Sequence, residues 1–142
     1  MIVVDASLAA KWVLWEAHSD AALDFWEKHV GDLAAPDLIA VEVASALVSR
    51  ANMDKSLTEA MREGLRHWSR LMAGTGIQQF RVTTSRVQRA ADLAMTLGHP
   101  VKDCLYLDLA AELDCPLITC DVKFAAKARG VYAAVRVLGD GE

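Results

Sequence analysis

The 142-residue sequence lacks several features that would place it quickly in a structural class. Its three cysteines form no CxxC pair, so neither a disulfide framework nor a zinc knuckle is indicated. No apolar run approaches the ~18 residues that a membrane span needs. No basic region followed by an apolar stretch suggests a signal peptide. We therefore expect a soluble, cytoplasmic protein with reduced cysteines.

An excess of positive charge is also missing, since 15 Lys and Arg residues stand against 19 Asp and Glu residues. A protein whose whole surface binds nucleic acid carries the opposite balance, because phosphate binding relies on Lys and Arg. Local basic patches or a metal-assisted contact remain compatible with the net charge of −4. With no repeat, low-complexity segment or long linker, we expect residues 1–142 to form a single domain.

Short apolar runs alternate with longer segments of helical periodicity along the chain. The pattern predicts strands at Ile2–Val4, Leu33–Ala35, Gln79–Val82, Leu117–Thr119 and Ala134–Val137. It predicts helices at Leu8–Glu16, Asp20–Val30, Leu38–Ala51, Leu57–Met72, Arg86–Leu97, Lys102–Asp114 and Val122–Arg129. Such alternation is typical of βαβ units. We expect an α/β fold with a central parallel sheet of about five short strands flanked by helices on both faces.

Four acidic residues lie in apolar surroundings, where a charge needs a partner. Asp5 and Asp121 each follow a predicted strand, in VVDASL and LITCDVKF. Glu42 is the single charge in LIAVEVASALV, and Asp103 opens the predicted helix VKDCLYLDLAAEL. Because ligands of parallel α/β sheets bind outside the carboxyl ends of the strands, Asp5 and Asp121 are expected at that edge.

Each of these carboxylates also has an ordinary structural explanation. Asp5 and Asp121 are suited to cap helices, a role worth about 1 kcal/mol each. Asp103 in a first turn is favoured by the helix dipole. Glu42 shares its helix face with two serines, so all three could form an ordinary solvent-facing stripe. Taken together, however, four clustered carboxylates repel one another and favour a shared cation.

Helical spacing separates the acidic residues of the segment VKDCLYLDLAAEL into two groups. Asp103 shares a face with Tyr106, which directs it towards the protein body or a groove. Asp108 and Glu112 lie on the opposite side, where we expect a solvated stripe.

Ligation by oxygen alone suits a hard cation, so we expect Mg²⁺ or Mn²⁺. Zinc is disfavoured because the histidines are scattered without metal-ligand spacing. We expect each of them at the surface or at a helix end: His18, His29, His67 and His99.

Three segments carry a resemblance to a known family: VVDASLAAKWVL, PDLIAVEVASAL and KDCLYLDLAAELDCPLITCDVKFAAKA. They resemble the PIN-domain family, most specifically the VapC-type toxin ribonucleases of bacterial and archaeal toxin–antitoxin modules. The resemblance covers essentially the whole chain and implies a single PIN-like domain over residues 1–142. It implies a metal-binding, catalytic quartet of Asp5, Glu42, Asp103 and Asp121.

The resemblance also implies an activity and partners. The expected activity is hydrolysis of RNA phosphodiesters by an endoribonuclease that depends on Mg²⁺ or Mn²⁺. The expected partners are RNA, a cognate antitoxin and a second copy of the chain in a homodimer. If a tryptophan is exposed, the segment containing Leu8, Trp12 and Trp15 is the expected interface.

The sequence departs from the family pattern in two segments. Ser45 stands where many relatives carry Asn, and Val122 and Lys123 follow Asp121 where relatives often have a further acid.

Four further residues are expected near the quartet. Ser7 and Thr119 have hydroxyls close enough in sequence to hold a ligand water or a carboxylate, so we assign them a supporting role. Lys11 and Lys123 are candidates for phosphate contact because they lie close in sequence to the expected ligands.

Two alternative functions remain open at this point. A receiver-type signalling domain shares the length, the parallel sheet and Mg²⁺ binding, but it needs an early acidic pair and an aspartate on a central strand. The sequence has one early aspartate and none in QQFRVTTS. A non-catalytic binding module of the same fold is the other alternative. A phosphate-loop enzyme is excluded because GTGI lacks the following Lys-Ser/Thr.

Overall fold

A computed structural model of the chain describes residues 1–139. Within them, five short strands form one sheet: β1 (Ile2–Val4), β2 (Leu33–Pro36), β3 (Ile77–Phe80), β4 (Leu117–Thr119) and β5 (Val135–Val137). Their order is β3-β2-β1-β4-β5, and every neighbouring pair is parallel. This doubly wound order has its switch point between β1 and β4, unlike the 2-1-3-4-5 order of receiver-like folds.

Helices connect the strands: α1 (Ala6–Ala9), α2 (Ser19–His29), α3 (Ile39–Met53), α4 (Thr58–Ala73), α5 (Thr84–Leu97), α6 (Val101–Leu113) and α7 (Val122–Ala128). Every residue of β2 and of β4 is buried, which requires cover on both faces of the sheet. The predicted α/β fold with a five-stranded parallel sheet is therefore confirmed. Across residues 1–139, no helix has both the length and the apolar character of a membrane span.

Most predicted elements differ from the observed bounds by one or two residues at an end, and in two of them the difference is larger or shifts the whole element. The segment predicted as one helix over Leu8–Glu16 is a single α-helical turn followed by a 3₁₀ helix that ends at Trp12. Strand β3 lies two residues earlier than predicted, because Val82 leaves the ladder and donates its N–H to Asp37 Oδ1 at 3.2 Å.

Helix α6 is the central helix of the fold. It packs against β1, β2 and β4 on one side and against α5 on another. All residues from Cys104 to Ala110 are buried. A helix covered on several sides needs no polar stripe, which explains why its sequence shows little amphipathic pattern.

The prediction that Asp108 belongs to a solvated stripe is wrong. Asp108 is 6% exposed, and it accepts two hydrogen bonds from Arg89 on α5, at 2.9 and 3.2 Å. Glu112 is exposed, as expected, and pairs with Arg86 and Arg89. The packing of α5 along α6 covers this face, and the guanidinium group compensates the carboxylate that is buried there.

Candidate metal centre

Asp5 lies directly after β1 and begins α1 as its N-cap. Its side chain is buried and accepts hydrogen bonds from Ser7 Oγ at 2.7 Å, from the Leu8 N–H at 3.2 Å and from Thr119 Oγ1. Burial raises the pKa of Asp5 to about 6, although the hydrogen bonds from Thr119 and Ser7 act in the opposite direction. The charge of Asp103 raises the pKa further.

Ser7 and Thr119 connect Asp5 to the turn that follows β4. Besides its bond to Asp5, Ser7 Oγ accepts the Cys120 N–H at 3.0 Å, and Thr119 Oγ1 accepts the Asp121 N–H at 3.0 Å. The two hydroxyls therefore link the carboxyl ends of β1 and β4 by hydrogen bonds. Both hydroxyls hold a carboxylate, and their supporting role in catalysis stays a prediction.

Glu42 lies in the first turn of α3. Tyr106 on α6 donates its hydroxyl to Glu42 Oε1 at 2.6 Å, and Lys102 Nζ lies 3.8 Å from Oε2. Burial, followed by the bond to Glu42, raises the pKa of the Tyr106 hydroxyl, which keeps it protonated as a donor. Tyr106 orients this carboxylate, a contact that the sequence pattern did not predict.

Asp103 lies in the first turn of α6, and Asp121 caps α7 by accepting the Phe124 N–H at 3.0 Å. His99, in the connection between α5 and α6, has its Nε2 2.6 Å from Asp103 Oδ2. One ligand atom from each of His99, Asp103 and Asp121 lies within 4.8 Å of the others. His99, expected from the sequence only at the surface or at a helix end, therefore lies beside two of the acidic residues, and its i,i+4 spacing to Asp103 is a local signal of this proximity.

A cleft of about 490 Å³ brings three of the four acidic residues to one surface. Glu42, Asp103 and Asp121 line it, together with Ser7. Asp5 is not part of the lining. It lies behind Ser7, which lines the cleft and donates a hydrogen bond to it. A more apolar groove of about 640 Å³ on the outer face of α3 contains none of these carboxylates.

Of the two lysines that are candidates for phosphate contact, only Lys11 lines the cleft. The Lys11 ammonium, however, already bonds Glu16 Oε1 at 3.0 Å and the Ala17 carbonyl at 2.8 Å. Lys123 is exposed on α7 and lies outside the lining. Two further cations line the cleft: Arg50, which pairs with Glu16 at 2.6 Å, and Lys102.

The donor set of the cleft fits a hard divalent cation. Four carboxylates line the cleft, and one of them, Glu16, is already paired with Lys11 and Arg50. Glu42, Asp103 and Asp121 come from different elements and face the same space, while Asp5 lies buried behind Ser7. Carboxylate oxygens are the ligands that Mg²⁺ and Mn²⁺ prefer. The cleft lies beside the junction of β1 and β4, which is where doubly wound sheets bind their ligands.

Solved structures with a similar fold come from several organisms. PAE2754 from Pyrobaculum aerophilum is 23% identical with a TM-score of 0.67, over 95% of this chain and 87% of its own. VapC20 from Mycobacterium tuberculosis, a sarcin–ricin loop cleaving toxin, is 15% identical with a TM-score of 0.72, over 89% and 94%. A toxin–antitoxin complex from Klebsiella pneumoniae contains a chain that is 12% identical with a TM-score of 0.61, over 95% of both chains.

The sequence itself gives the family assignment. Among curated proteins, none matches the chain. The profile of the PIN domain, in contrast, matches residues 2–130, which include all four acidic residues of the proposed quartet. The chain therefore belongs to the PIN domain family.

Proposed function

We propose that this protein is a divalent-metal-dependent endoribonuclease that hydrolyses RNA phosphodiesters and acts as the toxin of a toxin–antitoxin module. The observation that carries the proposal is the convergence of Glu42, Asp103 and Asp121 on one cleft with Asp5 behind it. The folds of VapC20 and of the Klebsiella toxin–antitoxin complex support it. In this proposal, residues 1–142 act as one PIN-like domain.

The proposed metal ligands and catalytic residues are Asp5, Glu42, Asp103 and Asp121, with Mg²⁺ or Mn²⁺ as the cofactor. A bound ion of this kind supplies an activated water at neutral pH and offsets charge on the phosphoryl oxygens. The protein supplies orientation. Tyr106 holds Glu42, and the hydroxyls of Ser7 and Thr119 hold Asp5.

Cations at the cleft are proposed to guide the RNA backbone into this acidic site. Lys102 and Arg50 line the cleft and have side chains that are 61% and 42% exposed, so phosphates can reach them. Lys123 remains a candidate for contact with a more distant phosphate. Lys11 contributes mainly by holding Glu16.

The proposed partners are a cognate antitoxin and a second copy of the chain, both in the cytoplasm. Trp15 is 71% exposed, whereas Leu8 and Trp12 are buried, so Trp15 is the residue of the expected interface that a partner can cover. Val41, Val48 and Met53 on the outer face of α3 are also exposed. Sedimentation of the chain alone and with the antitoxin would measure both assemblies.

The decisive experiment is RNA cleavage by the purified protein with Mn²⁺, with Mg²⁺ and with EDTA. Asp103→Asn and Asp121→Asn are expected to lower the cleavage rate by at least ~100-fold, since each removes a ligand charge from the cleft. Asp92→Asn on α5 is the matched control, because Asp92 is an exposed carboxylate away from the cleft lining. Metal-dependent cleavage that survives Asp121→Asn would contradict the assignment. A wild-type protein that binds Mn²⁺ without cleaving RNA would favour the non-catalytic alternative.

A further inference from the structure

The imidazole ring of His99 is held on three sides. Its Nε2 lies 2.6 Å from Asp103 Oδ2, and its Nδ1 lies 3.5 Å from Lys127 Nζ. One face stacks on Phe124, with ring centroids 4.8 Å apart and an interplanar angle of 29°. The side chain is 10% exposed, so few other orientations are available to it.

These contacts define which ring nitrogen carries the proton. The Lys127 ammonium has donors only, so Nδ1 of a neutral ring must accept from it. Nε2 then carries the hydrogen and donates to Asp103. A histidine that ligates a metal through Nε2 has the opposite arrangement, because it donates its other N–H to a carbonyl or a carboxylate. The surroundings of His99 therefore favour a hydrogen-bond donor over a metal ligand.

The same contacts join the elements that carry two of the cleft carboxylates. Phe124 and Lys127 are neighbours one turn apart on α7, and Asp121 caps the first turn of this helix by accepting the Phe124 N–H. Asp103 belongs to the first turn of α6. Lys127 also donates to the Gly98 carbonyl at 2.9 Å, and Gly98 has a φ of 62°, a conformation that glycine adopts without strain.

We propose that Lys127, His99 and Phe124 form a positioning unit that fixes Asp103 relative to Asp121, with His99 as a donor to Asp103 and not as a metal ligand. This inference rests on the proposed function of the cleft as a metal centre. His99 engages one oxygen of Asp103, and the second oxygen stays available to a cation. Lys127 and Phe124 set the position of the ring.

The first test measures Mn²⁺ affinity by calorimetry in the absence of RNA. His99→Phe keeps a ring that stacks on Phe124 but removes the donor, so we expect Mn²⁺ binding to weaken by about 10–100-fold. His99→Gln retains an amide N–H near the position of Nε2, so we expect affinity within about threefold of the wild type. Equal affinity of His99→Phe and the wild type would overturn the proposal, as would equal losses in His99→Phe and His99→Gln.

Lys127→Met gives a second variant with little risk to folding, because Lys127 is exposed. It removes the donor to Nδ1, and we expect about tenfold weaker Mn²⁺ binding. Lys28→Met on α2 removes an exposed lysine that takes no part in these contacts, and it is expected to bind Mn²⁺ as the wild type does. If Lys127→Met bound Mn²⁺ as tightly as Lys28→Met does, the proposed positioning unit would be contradicted.

The second test reads the tautomer of His99 in the metal-free protein by nitrogen–proton correlation NMR. The spectra are recorded at mildly alkaline pH. We expect a proton on Nε2 and none on Nδ1, and a proton on Nδ1 would overturn the proposal. Absence of Mn²⁺ binding by the wild-type protein would instead overturn the metal centre itself, so the two failures are distinguishable.

Discussion

Asp5 is a carboxylate buried at the junction of the two central strands. It receives hydrogen bonds from Ser7, Leu8 and Thr119, and its pKa nevertheless stays near 6 because desolvation is the largest influence. A residue that served only as a helix cap would gain nothing from such burial, since an exposed aspartate caps a helix equally well. The burial of Asp5 is consistent with the proposal that a cation at the cleft compensates its charge.

The raised pKa of Asp5 predicts how the stability of the metal-free protein depends on pH. The folded state holds the Asp5 proton up to about pH 6, whereas the unfolded chain releases it near the ordinary aspartate pKa of 3.8. The free energy of unfolding should therefore fall as pH rises between these two values, by up to about 3 kcal/mol. Urea unfolding in EDTA across this range measures the effect.

Asp5→Asn is expected to abolish the fall in the free energy of unfolding with pH. It should stabilise the metal-free protein at pH 7 by roughly 1–3 kcal/mol. The gain in free energy of unfolding is less than about 3 kcal/mol, because the amide of Asn replaces one carboxylate oxygen, a hydrogen-bond acceptor, by an NH₂ group that can only donate. Asp92→Asn, on an exposed face of α5, serves as the control and should leave the pH profile unchanged. An identical pH profile for Asp5→Asn and the wild type would contradict a raised pKa.

The sequence predicted the positions of Asp5 and Asp121 well, because a residue that directly follows a buried parallel strand lies at the ligand-binding edge. It also predicted hydroxyls beside the carboxylates, and Ser7 and Thr119 donate to Asp5, but it did not predict the side chains that contact Glu42 and Asp103. Tyr106 reaches Glu42 across 64 positions of the chain, a contact that only tertiary packing creates. The contact between His99 and Asp103 is easier to predict, because residues four apart at the start of a helix lie close together.

At the scale of elements, the pair of α5 and α6 shows where helical periodicity misleads. The pattern assigned Asp108 to solvent because it lies opposite Asp103 on α6. The sequence of α6 does not state which of its sides a neighbouring helix covers, and α5 covers the side of Asp108. Arg89 on α5 then pairs with the buried carboxylate.

Removal of Arg89 should destabilise the fold because it leaves the Asp108 carboxylate buried without its guanidinium. Arg89→Met is expected to lower the urea midpoint several times more than Arg66→Met, which breaks an exposed i,i+3 pair on α4. The double variant Arg89→Met with Asp108→Leu should recover much of the loss. Equal midpoints for the two single variants would show that the Asp108 pair carries no such cost.

At the scale of the molecule, the topology gathers a site from distant parts of the chain. The acidic residues come from the end of β1 and from the first turns or caps of α3, α6 and α7. The alternation of strands and helices was sufficient to predict the parallel sheet. The order of the strands was not predictable from it, and that order is what places β1 beside β4 and brings Asp5 near Asp121.

A cation held by these elements should stabilise the whole fold, because it binds only when they are assembled. At a concentration 100 times its Kd, a ligand adds about 2.7 kcal/mol to the free energy of unfolding, which corresponds to a rise in Tm of about 5–10 °C for a chain of this size. We expect this rise when Mn²⁺ is titrated into the wild-type protein, and its reversal by EDTA.

Asp103→Asn should lose most of the shift in Tm, since it removes a carboxylate that lines the cleft, while Asp92→Asn should retain it. The comparison is made at equal Mn²⁺ concentration by scanning calorimetry. If Mn²⁺ raised the Tm of Asp103→Asn as much as that of the wild type, the ion would be binding elsewhere on the molecule. A shift confined to proteins with the intact cleft ties the stability of the fold to the same carboxylates that we assign to catalysis.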